Sequence, residues 1–96
     1  MQTTQLRFPA GQLVLTPGAL AAFARNASGP DYFHLLTRHL SGDWGDVSAD
    51  DASENEYSVS RHLRILSAYH LADGTKVWFI TEADRSATTA LRPEEY

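Results

Sequence analysis

The spacing of apolar residues changes along this chain, and each change marks an element. QLVLT, residues 12 to 16, is a short apolar run that reads as a strand. Thr16-Pro17 at its end places an N-cap residue ahead of a proline at the first helical position, so a helix is predicted from there. Within PGALAAFARN, residues 17 to 26, Leu20, Phe23 and Ala24 share one face, and the pattern stops at Asn26 before Ser28-Gly29-Pro30. A second helix is predicted over PDYFHLLTRHL, residues 30 to 40. Asp31 lies near its positive end, Phe33, Leu36 and Leu40 recur at spacings of three and four, and Gly42 lies beyond.

Ser48 can cap a third helix carrying Asp50, Asp51 and Glu54 in its first turns, where the helix dipole favours carboxylates. From residue 63 the period drops to two. Leu63, Ile65, Ser67, Tyr69 and Leu71 alternate with Arg64, Leu66, Ala68 and His70, as a strand requires. ADGT follows as a tight turn, since Asp-Gly supplies positive φ. KVWFITEA returns as a second strand, with Val77, Phe79 and Thr81 opposite Trp78 and Ile80; DRS turns again, and ATTALR forms a last strand that Pro93 ends. The order implies an α+β fold: a short N-terminal strand, two to three helices, then a three-stranded antiparallel meander with the helices on one face. Large apolar groups on the other face predict a surface for a partner or for a second copy.

Ninety-six residues make one domain, residues 1 to 96, with a single modest core. A hydrophobic fraction of 43% is too high for a disordered chain. The net charge of −4 disfavours direct binding to nucleic acid, which draws its free energy from clustered bases, and the seven arginines among eight bases are scattered. Without cysteine the chain has no disulfide, thiol nucleophile or thiolate metal site. No apolar run approaches the roughly 20 residues that span a bilayer, and the N-terminal residues lack a signal-peptide pattern, so no membrane association is predicted and the cytoplasm is the expected compartment.

SGDWGDVSADDASENE, residues 41 to 56, holds six of the twelve acids and no base. Asp43 to Glu54 has the first-to-last spacing of a calcium-binding EF-hand loop, but Gly45, Val47 and Ser48 stand where ligands and the turn glycine belong. A helix start explains Asp50, Asp51 and Glu54, whereas Asp43, Asp46 and Glu56 are left without a structural reason. Trp44 reads first as an anchor buried under the loop and second as an exposed hot spot. His34 and His39 point about 140° apart on an ideal helix, and His62 and His70 lie some 26 Å apart along a strand at ~3.3 Å per residue. No metal or cofactor is predicted. No nucleophile or phosphate-loop motif occurs, so no enzyme is predicted. In the connection TEADRSATT, Asp84 is read as capping the turn and Arg85 as pairing locally with a carboxylate. Asp43, Trp44, Asp46, Asp50, Asp51 and Glu54, with Glu82, Asp84 and Arg85 second, are the residues expected to touch a protein partner.

SGDWGD, ENE, RILSAY, KVWFITEADRSATTALRPEEY and the early LRFPAGQLVLTPGAL together resemble a family of small uncharacterised proteins of bacterial plasmids and other mobile elements. Some members carry a restriction-methylation label, which this chain is too short to support. The resemblance implies a non-enzymatic mobile-element accessory protein and supplies no site residue. With the acid cluster, it points to an inhibitor of a host defence complex of the anti-CRISPR or anti-restriction kind. The alternatives are a self-associating structural or regulatory accessory, expected as a homodimer, and a RelE/ParE-like toxin, a class that is usually basic where this chain is acidic.

Overall fold

The computed structural model describes residues 5 to 96. Strand β1, Gln12–Leu15, leads into helix α1, Pro17–Arg25, and Thr16 caps that helix by accepting the Ala19 N–H at 3.2 Å. Helix α2, Tyr32–Leu40, is capped by Asp31, which leaves Pro30 outside it. Helix α3, Ala49–Arg61, starts at Ser48 and stops where His62 takes a left-handed conformation, φ 56°. Strands β2, Ile65–His70, β3, Lys76–Thr81, and β4, Ala87–Leu91, then form the expected antiparallel meander, followed by a 3-10 turn at Pro93–Glu95.

The sheet has four strands in the order β1-β4-β3-β2. Its first strand lies parallel to its last, Gln12 opposite Ala87, so the sheet is mixed and not wholly antiparallel. Gly11 makes this approach feasible: at φ 65° its missing Cβ would overlap the backbone of Arg85 and Ser86.

One sheet face carries the core. Ile65, Tyr69, Val77, Phe79 and Ala90 pack against Ala19 and Ala22 of α1, Leu35, Leu36 and Leu40 of α2, and Phe8 and Trp44. Helix α1 meets the sheet through small side chains, so the face predicted for it is rotated: Ala19 and Ala22 are buried, while Leu20 is 62% exposed. Phe33, expected in the core, overhangs the first turn of α2 at 65% exposure, its ring edge against Tyr32. Leu63 is also exposed, because β2 begins two residues after it.

The opposite sheet face is covered by the chain itself. Tyr96 sets its ring 5.8 Å from Trp78 and its hydroxyl accepts from Arg64 at 2.8 Å. Ala68, Ile80 and Leu91 on this face are buried. Glu95 fastens the C-terminal segment by accepting the Thr16 hydroxyl at 2.6 Å and the Gly18 N–H at 3.0 Å, at the positive end of α1.

Candidate functional site

The acidic stretch runs along the outer edge of β2 and closes it. Trp44 and Asp46 bracket Ala68 as a short parallel bridge: the Ala68 N–H donates to the Trp44 carbonyl at 3.1 Å, and the Asp46 N–H to the Ala68 carbonyl at 2.6 Å. Between them Gly45, φ 74°, leaves no room for a Cβ against the Ala68 carbonyl and the Tyr69 ring. Asn55 of α3 completes the seal, accepting the Leu66 N–H at 3.2 Å and donating to its carbonyl at 2.8 Å. An exposed strand edge is a template for unwanted pairing, and here loop and helix cover it.

The three acids without a reason in the sequence are the ones with partners. Asp43 accepts the Nε and Nη2 of Arg38 at 2.7 and 3.2 Å, and this hydrogen bonding holds its carboxyl below the usual range. Asp46 takes His70 Nε2 at 2.7 Å, with Lys76 at 4.0 Å, and is lowered chiefly by the His70 bond. Glu56 receives both Nη atoms of Arg7, at 2.9 and 2.8 Å, and the indole N–H of Trp44 at 3.1 Å; the Arg7 bond dominates its lowered pKa. Trp44 is buried, 6.2 Å from Phe8 in a stacked pair, and is the anchor under the loop. A partner therefore meets little of it.

Asp50, Asp51 and Glu54 stand apart. All three are exposed in the first turns of α3, and among the described residues none has an ion-pair partner. They put three carboxylates at the N-terminal end of α3, where the helix dipole, and among the described residues no side-chain cation, offsets their charge.

The turn between β3 and β4 divides its roles. Glu82 pairs with Arg64 at 3.2 Å. Asp84 is exposed and accepts the Ser86 N–H at 3.0 Å, capping the turn as expected; hydrogen bonding by the Ser86 side chain, and then by its backbone, lowers the Asp84 pKa. Among the described residues Arg85 has no carboxylate partner, contrary to the local pairing expected. It sits at φ 62°, 8% exposed, and donates to the carbonyls of Leu63 at 2.7 Å, Ser58 at 2.8 Å, Glu82 at 3.2 Å and Ala83 at 3.3 Å. Its guanidinium thus binds the negative end of α3 and lies 5.5 Å from the Phe8 ring. Arg85 and Trp44 come together through Phe8 inside the fold, while Asp84 and the Asp50–Asp51 pair lie toward opposite ends of α3.

A buried polar chain escaped the sequence reading. His39 is fully buried, bonding Ser67 Oγ through Nδ1 and Thr81 Oγ1 through Nε2 at 2.8 Å; Thr81 bonds Thr88 at 2.7 Å, and Thr88 donates to the Ala10 carbonyl at 2.8 Å. Burial pushes the His39 pKa down to about 3, so the imidazole is neutral at neutral pH. Its position between Leu36 and Leu40 on the apolar face of α2 was the available signal. Ser67 beside His39 has the composition of a nucleophile and base, but both are 0% exposed, with a threonine where an orienting acid would stand. No group of three metal-ligating side chains occurs among the described residues, no pocket opens among them, and no helix among them is long and apolar enough to cross a membrane.

Comparison with protein-family models, curated proteins and solved structures finds no match to this chain.

Proposed function

We propose that this chain is a non-catalytic accessory protein of a bacterial mobile element that acts in the cytoplasm by protein-protein contact, inhibiting a host defence complex of CRISPR or restriction type. The contact surface is the acidic start of α3, and the observation that carries the reading is the lack of ion-pair partners for Asp50, Asp51 and Glu54. Their neighbours Asp43 and Glu56 are paired with Arg38 and Arg7, and Asp46 bonds His70 with Lys76 at 4.0 Å, whereas these three have no ion-pair partner among the described residues. Such a surface complements the basic groove with which a defence complex holds nucleic acid, and complementarity of this kind steers association and selects partners. The mobile-element setting is part of the proposal and rests on the resemblance of SGDWGD, ENE and the C-terminal third to small mobile-element proteins.

The test is transformation of a plasmid into a host with an active defence system. Expression of this chain should raise transformation efficiency, and the triple variant Asp50→Asn, Asp51→Asn, Glu54→Gln should abolish the gain while melting like the parent. An unchanged gain in the triple variant removes the acidic surface from the reading, and no gain from the parent against CRISPR and restriction hosts removes the inhibitor.

A further inference from the structure

The two edges of the sheet are treated differently. The β2 edge is sealed by Trp44, Asp46 and Asn55. At the other edge, Gln12 donates its N–H to the Ser86 carbonyl at 2.9 Å and Thr16 to the Ala90 carbonyl at 3.0 Å, so even-numbered residues of β1 direct their amides at β4. Leu13 and Leu15 between them aim N–H and C=O away from the sheet, and among the described residues no hydrogen bond reaches these groups. Natural edges are guarded by shortness, charge, proline or a bulge. Strand β1, Gln-Leu-Val-Leu, is short but has no charge, proline or bulge, and Leu13 and Val14 are 41% and 37% exposed on its two faces.

We propose that β1 pairs antiparallel with β1 of a second copy of this chain, joining two four-stranded sheets into one of eight. Charge selects this occupant. Each copy carries a net −4, yet from Phe8 to Ala24 the sequence contains no charged residue, and Glu95, the acid held at the end of β1, is already bonded to the Thr16 hydroxyl and the Gly18 N–H, so the pairing residues themselves bring no like charges together. The unpaired groups fix the register: Leu13 lies opposite the partner's Leu15, exchanging both N–H···O bonds, and Val14 lies opposite the partner's Val14 on the two-fold axis. Because the β2 edge is closed, addition stops at two and no filament grows.

The absence of cysteine makes the geometry testable with single introduced thiols. In a non-hydrogen-bonded antiparallel pair the Cα atoms stand about 4.5 Å apart, within reach of a disulfide. Val14→Cys should therefore form covalent dimer under mild oxidation much faster than Tyr57→Cys, whose site on α3 is exposed but off the axis. Sedimentation of the parent should show a monomer-dimer equilibrium below about 1 mM, the strength suited to an interface well under ~1,200 Å². Leu13→Pro, which removes an outward N–H and fixes φ at a strand position where edge proline is tolerated, should leave a folded monomer. A parent that stays monomeric through that range, species larger than a dimer, a folded Leu13→Pro variant that still dimerises, or Val14→Cys crosslinking no faster than Tyr57→Cys each overturns the proposal.

Discussion

The indole N–H of Trp44 donates to Glu56 at 3.1 Å, joining the buried ring of the acidic loop to a carboxylate at the middle of α3. The same carboxylate holds Arg7, so one acid ties the N-terminal segment, the loop and α3 together. Glu56→Ala leaves a half-buried donor unpaired and should cost about 1–3 kcal/mol. Trp44→Ala, which also empties a core site, should cost about 3–5 kcal/mol. Urea unfolding measures both, and equal losses would mean that the ring contributes little beyond its hydrogen bond.

His39 predicts a pH dependence. Its folded pKa of about 3 lies below the free value of 6.5, so between these limits the unfolded chain binds more protons. Stability due to this residue is therefore complete above pH 6.5 and falls by about 1.4 kcal/mol per pH unit below it. The lowered carboxylates of Asp43 and Glu56 add a fall in the same direction at lower pH. His39→Gln keeps a donor and an acceptor but cannot titrate, and should flatten the slope between pH 6 and pH 4. Parallel pH curves for variant and parent would exclude His39 as the source.

Two glycines with similar backbone angles should differ in tolerance. Gly45, φ 74°, is pressed against Ala68 and Tyr69, whereas a Cβ on Gly74, φ 89°, meets open space. Gly74→Ala should cost only the left-handed strain, about 1 kcal/mol. Gly45→Ala adds a steric clash, should cost about 3 kcal/mol or more, and should speed hydrogen exchange at the Ala68 and Asp46 amides. Equal costs would mean that the loop moves aside without penalty.

Arg85→Lys tests the planar fork. An ammonium cannot reach carbonyls on α3, on the residues after it and on its own turn together, so the lysine variant should lose about 2–4 kcal/mol. Asp84→Asn, at an exposed acceptor, should melt like the parent. Thermal melts of the two variants separate a structural arginine from one held for a partner: full stability with lysine would return Arg85 to the surface reading.

What the sequence revealed was mostly local. Thr16 and Ser48 announce their helices because a cap acts three residues away, and the meander follows from strict alternation between residues 65 and 81. The face that α1 turns to the core is not legible from the spacing of its large apolar residues, because alanines, not Leu20, allow its close approach. The role of the acid cluster was hidden because two of its three neutralised members find their bases at long range: Asp46 meets His70, and Glu56 meets Arg7 across 49 positions. Only Arg38, five residues from Asp43, lay close enough to suggest a pair.

The parallel pairing of Gln12 with Ala87 also sets a timetable. Helices α1 and α2 and the β2–β3 hairpin can form as the chain leaves the ribosome, but the first strand has no neighbour until the last is made. At about 5–20 residues per second, that delay is roughly 4–15 s. Throughout it, the apolar QLVL segment is unpaired on every nascent chain of a polysome. Sheet completion thus waits for β4, and that interval is when the QLVL segment most needs a chaperone.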